Sequence, residues 1–123
     1  MNKPNGNHLK LMAKAETIKQ ADLAKKLRRA QDEMNNITAQ AGSIKRMLHE
    51  HDGQLKGAQN SAQLANTLRL GQQLEGFRST LSIQKAQSER RLKKAQTELA
   101  QSGHKLEMLS EKAKVMDAQQ NSE

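Results

Sequence analysis

The chain has no cysteine, tryptophan or tyrosine, one phenylalanine and one proline. Without cysteine there is no disulfide framework and no thiol chemistry, which suits a reducing compartment. With Phe77 as its only aromatic in 123 residues, the chain lacks the large side chains that fill a globular core. No stretch approaches the roughly 20 apolar residues of a membrane span. The first ten residues lack the apolar segment of a signal peptide, so a cytoplasmic protein is expected. Acids are scarce as well: 13 Asp or Glu stand against 21 Lys or Arg, a net charge of +8. A mean hydropathy of −0.94 with 28% charged residues also fits a disordered chain. What decides against disorder is what is there. Ala, Leu, Lys, Gln, Arg and Glu dominate, and all are strong helix formers.

Apolar residues recur in a three-four beat along two blocks. In the first, Leu23, Leu27, Ala30, Met34, Ile37, Ala41, Ile44 and Leu48 alternate steps of four and three. In the second, Leu92, Ala95, Leu99, Ser102, Leu106, Leu109, Ala113 and Met116 do the same. This spacing puts one narrow apolar seam on each of two helices, the pattern of a coiled coil. The expected fold is all-α, a long two-helix antiparallel coiled-coil hairpin with the second helix overhanging at the terminal end.

The boundaries follow from local signals. Residues 1–7 read as a flexible leader, with Pro4, Asn5 and Gly6 as breakers and Asn7 as N-cap. A first helix is expected over 8–51, ended by Asp52-Gly53, and a turn over 52–60. Asn60 with Gln63 three residues on has the form of a capping box, which starts a second helix at 61. That helix runs to 118, before a flexible tail over 119–123. A connection this short favours antiparallel neighbours. The register it implies matches Ile37 with Leu74, Met34 with Phe77, Ala30 with Leu81 and Ile44 with Leu68, and brings Gly42 near Gly71. Between Leu81 and Leu92 the seam passes through Gln84 or Lys85 and Ser88, which reads as a four-residue stutter. The same register places Leu9 opposite Ser102, so residues 103–117 overhang with Leu106, Leu109, Ala113 and Met116 unpartnered.

No constellation suggests catalysis. His49 and His51, two apart, point to different faces of a helix and read as solvated residues at its end. His8 and His104 are isolated in sequence, and no metal site or cofactor is expected. Gly71 and Gly76 are followed by Phe77-Arg78 where a P-loop needs Lys and Ser or Thr. Ser79, Thr80 and Ser82 have no base arranged to activate them. The chain reads as a non-enzyme.

Charge is the stronger signal. Residues 1–30 carry eight Lys or Arg against Glu16 and Asp22, and Lys85, Arg90, Arg91, Lys93 and Lys94 form a second cluster beside Glu89. With Lys25, Lys26, Arg28 and Arg29 these form a belt, read either as a solvated face or as a surface for an acidic partner. Nucleic acid is the weaker partner, since no aromatics are available to stack bases.

Layout and motif together resemble the flagellar FliJ family and its virulence-secretion counterparts, the stalk proteins of type III export ATPases. A basic leader runs into a Leu/Ala/Lys helix, followed by a Gln-rich middle and a Lys/Glu-rich second seam. Gln72-Gln73 followed by Phe77-Arg78-Ser79-Thr80-Leu81 is similar to the family's Gln-rich stretch and its F-x-x-x-L segment. Downstream, Gln84 and Ser88 stand where some relatives have aromatic and His positions.

The resemblance implies a coiled-coil stalk whose terminal end enters a hexameric export ATPase and which also contacts the membrane export gate and substrate chaperones. Membrane association would then be peripheral, through those partners, with no small-molecule substrate. On this reading Leu106, Leu109, Ala113 and Met116 pack in the ring. The Lys25, Lys26, Arg28, Arg29, Arg90, Arg91, Lys93 and Lys94 charges face its mouth, and Phe77 and Leu81 meet the gate unless both are simply seam residues. Two other readings are a coiled-coil chaperone, escort or scaffold that works without a ring, and a basic nucleic-acid-binding hairpin.

Overall fold

The computed structural model describes residues 6–121. They form two α-helices, α1 over Gly6–Lys56 and α2 over Ser61–Asn121, with no strand among the described residues. The helices pack against each other as an antiparallel hairpin, as the two seams predict. Of the expected leader, residues 1–5 lie outside the described residues. Helix has already begun at Gly6, so Asn7 is not its N-cap. Of the expected tail, residues 119–121 are helical and 122–123 lie outside the described residues.

The connection is shorter than expected. Asp52-Gly53 does not stop α1, because a single glycine costs a helix only about 1 kcal/mol relative to alanine and Gly53 keeps a negative φ. The helix ends at Lys56, where the Gly57 amide donates to the Gly53 carbonyl at 3.1 Å. The cap of α2 forms where predicted. The Gln63 amide donates to Asn60 Oδ1 at 2.9 Å, and Gln63 Oε1 accepts from the Gln59 amide at 3.0 Å. Two otherwise unsatisfied donors are thereby paired reciprocally, one residue earlier on the return leg than in the usual box.

Moving the turn moves the register by one heptad. Ser102 bonds not to a group at Leu9 but at Glu16, seven residues on, and Leu9 packs instead with Leu109. The expected matches of Ile37, Met34, Ala30 and Ile44 with Leu74, Phe77, Leu81 and Leu68 are therefore overturned. Phe77 lies off the seam at 60% exposure, and Leu68 is exposed too. Gly42 has no neighbour in reach of a Cβ, whereas Gly71 faces the His51 ring.

The seam itself is regular. Along α1, Leu9, Glu16, Leu23, Ala30, Ile37, Ile44 and His51 recur every seventh residue, each buried or half-buried. Along α2, Leu74, Leu81, Ser88, Ala95, Ser102 and Leu109 do the same. No stutter interrupts them: Ser88 is in phase and fully enclosed, its Oγ without a hydrogen-bond partner among the described residues.

The chain divides into two packed units, a terminal unit of Met1–Ala30 with Leu92–Glu123 and a turn unit of Gln31–Arg91. In the terminal unit Leu9, Leu109 and Ala113 form a buried cluster, with Ala13 and Met116 packed against it. Beyond them Lys10 Nζ lies 2.7 Å from Asp117 Oδ2. The expected overhang over 103–117 is thus absent, because its seam is covered by the start of α1. In the turn unit Ile37 and Leu74 are buried, and Arg91 pairs with Glu33 at 3.1 Å.

Candidate partner-binding surfaces

In the terminal unit the seam is closed and the surface around it is not. Leu109 and Ala113 are buried, and Leu106 and Met116 half-buried, so none of the four presents the free seam expected for a ring contact. The exposed apolar residues are others. Leu11 and Ile18 on α1 are 65% and 69% exposed, and Met108 and Val115 on α2 are about half exposed. Each pair is seven residues apart, so each forms a stripe along its own helix, off the seam. That off-seam spacing was the signal in the sequence that could have identified them.

The cations of this unit that the sequence offered as site residues, Lys25, Lys26, Arg28, Arg29, Lys93 and Lys94, are all exposed. Lys94 approaches Glu98 at 3.9 Å, one turn away on its own helix. The other five make no ion pair among the described residues.

Glu16 is the buried acid of the unit. The Ser102 hydroxyl donates to its Oε1 at 2.7 Å, and Lys105 Nζ lies 3.4 Å from Oε2. The Ser102 hydrogen bond, helped by the charges of Lys105 and Lys19 and opposed by burial, holds its carboxyl below the ordinary 4.5. Glu16 is the one acid among residues 6–21, so with it turned inward and paired, the outer face of that stretch carries only positive charge.

The turn unit holds the remaining predicted site residues. Arg90 and Arg91 are exposed, and Arg91 is tied to Glu33. Phe77 projects from α2, whereas Leu81 is half-buried on the seam, so the two do not form one equally open face. His51 is not solvated as expected: it is buried, and its Nε2 meets the Thr67 carbonyl oxygen at 2.5 Å. Its ring fills the space beside Gly71, where a Cβ would lie 2.6 Å from Nε2. His49 stays exposed.

His49 lies at the edge of an open groove of about 590 Å³ between the two helices of this unit. Ala41, Ile44, Leu48 and Leu81 form its floor, and Lys45, Arg78 and Lys85 stand around it. This groove is not legible in the sequence, because it depends on which residues of α2 face Ile44 and Leu48.

Among the described residues no three His, Asp or Glu side chains are grouped to hold a metal ion, and no helix is long and apolar enough to cross a membrane. In comparisons with known proteins, no family model, no curated sequence and no solved structure gives a significant match to this chain.

Proposed function

We propose that this chain is a coupling protein without enzymatic activity, the stalk of a type III protein export ATPase, whose terminal unit docks in a hexameric ring. The observation that carries the reading is the surface of that unit: exposed Leu11, Ile18, Met108 and Val115 among cations that have few ion-pair partners. Apolar residues left outside a satisfied seam are available to a second protein, and unpaired charge steers the approach of an acidic one. The likeness of the Gln72–Leu81 segment to the FliJ family names the partner class. The ring contact moves, however, from the seam of Leu106, Leu109, Ala113 and Met116 to the outer stripes. Phe77, exposed on α2, is the residue offered to the export gate.

The test mixes the full chain with a purified hexameric export ATPase and measures ATP hydrolysis, alongside a pull-down of the gate's cytoplasmic domain. The intact chain stimulates hydrolysis. Leu11→Asp with Ile18→Asp abolishes stimulation without lowering helicity, because both side chains already face water. Phe77→Ala weakens gate capture about tenfold while changing stability by no more than about 0.5 kcal/mol, as at an exposed site. If the intact chain neither binds nor stimulates the ATPase, the stalk reading is wrong.

A further inference from the structure

We infer that the groove of the turn unit is a docking site for an acidic amphipathic helix of a partner protein. The inference goes beyond the export reading and does not depend on it. It begins with one position of the heptad. In the terminal unit α2 fills this position with Leu92, Leu99 and Leu106, all half-buried against α1. In the turn unit the same position falls on Arg78 and Lys85, both exposed. A guanidinium or ammonium keeps its charge in water and lends only its stem to the seam. Ile44 and Leu48 are therefore only half covered, and the groove opens above them.

The floor has the spacing that a third helix would use. Ala41, Ile44 and Leu48 step by three and four along α1, and Leu81 approaches from α2. Such a row accepts the i, i+3, i+4 and i+7 anchors of an amphipathic helix. The rim decides the charge of that helix. Lys45 and Lys85 have no ion pair among the described residues, and Arg78 has only exposed Glu75 at 3.4 Å on its own helix. Asp52 is the single acid lining the groove. Acidic flanks on the incoming helix complete both halves of the site.

Other occupants fit less well. A bilayer surface is flat and cannot follow a concave floor. Nucleic acid would find cations for its phosphates, but its backbone gains nothing from aliphatic side chains. A second copy of this chain, itself at +8, would bring like charge to the rim.

The probe is a fluorescein-labelled synthetic peptide of about five helical turns, with Leu at the four anchor positions and Glu on both flanks. Anisotropy is measured with the full chain at physiological salt. This peptide saturates the protein, whereas a scrambled peptide of the same composition binds at least about tenfold more weakly and a version with Lys for Glu does not bind. Arg78→Glu with Lys85→Glu weakens the acidic peptide about tenfold or more. Ala41→Leu, which fills the floor without changing charge, does so as well. Lys25→Glu with Arg29→Glu, in the terminal unit, leaves binding unchanged. The rim residues are exposed, so circular dichroism of their variants matches that of the parent chain.

Equal binding of the scrambled peptide would reduce the effect to charge alone and overturn the proposal. So would full binding by the Arg78/Lys85 variant, or the absence of saturable binding. Self-association of the chain that these substitutions abolish would make a second copy the occupant instead.

Discussion

At Glu16 a carboxylate sits on the seam position where the neighbouring heptads carry Leu9 and Leu23. A charge there is tolerable only when paired and hydrogen-bonded, and Ser102 and Lys105 meet that condition. Because its folded pKa lies below the unfolded value, the group stabilises the fold above the ordinary carboxylate range. That contribution is lost as pH falls through the lower folded value. Glu16→Gln keeps the shape and removes the charge. Its melting temperature falls short of the parent's at neutral pH, and the gap closes as the buffer is taken below 4.5. A gap constant across that range would mean that the Glu16 charge does not contribute. His51 and Ser88 are the other polar seam residues, and they are accommodated differently. His51 has the Thr67 carbonyl, whereas Ser88 fits because its side chain is small.

For each helix, the contact face follows from period and the distance of approach from side-chain size. Gly71 is where size matters most, since the His51 ring occupies the place of its Cβ. Gly71→Ala forces a buried, hydrogen-bonded ring to move, an overpacking cost of about 1–3 kcal/mol. The gain in helix propensity, about 1 kcal/mol, offsets only part of it. Gly76 lies on the same helix with nothing within 4 Å of a Cβ, so Gly76→Ala raises stability by up to about 1 kcal/mol. Urea titrations of the two variants separate the effects, and equal shifts would mean that His51 does not pack there. Polar seam residues also act at this scale as registry marks. One heptad out of place, Glu16 would face Ala95 and lose its hydroxyl donor.

For the molecule, the closed terminal seam changes what the end of the chain does. Had residues 103–117 overhung, deleting them would have left the hairpin intact. Leu109 and Ala113 instead cover Leu9 and Ala13, and a buried leucine is worth about 1.5–3 kcal/mol relative to an exposed one. Truncation after Gly103 therefore uncovers the start of α1. Helical signal falls by more than the deleted residues account for, and hydrogen exchange at Leu9–Ala13 loses protection. Retained protection there would show that α1 is stable without its cover. Any loss of ATPase stimulation in this truncation reports partial unfolding as well as a missing contact. Substitutions at Leu11 and Ile18, which leave the seam intact, are the cleaner test of the proposed ring contact.

The heptad phase of α1 and of α2 from Leu92 onward, the all-α class, the antiparallel pairing and the Asn60–Gln63 cap were legible in the sequence, because each depends on spacing within a few turns. Before Leu92 the phase of α2 was not, and Leu68 and Phe77 lie off the seam where Ser88 lies on it. The pairing register was not legible either. A seam that repeats every seven residues fits its partner nearly as well one heptad away, so the choice fell to the turn. There a glycine at 53 was too weak a signal to end a long helix. From the register followed what spacing could not reveal: Glu16 against Ser102, His51 over Gly71, a covered terminal seam and an open groove beside Leu81. Sequence by itself determined that each helix buries one narrow seam, and where that seam runs along α1 from Leu23 to Leu48 and along α2 from Leu92 onward. Tertiary structure decided what each face meets, because that depends on residues far apart in the chain being brought to the same level.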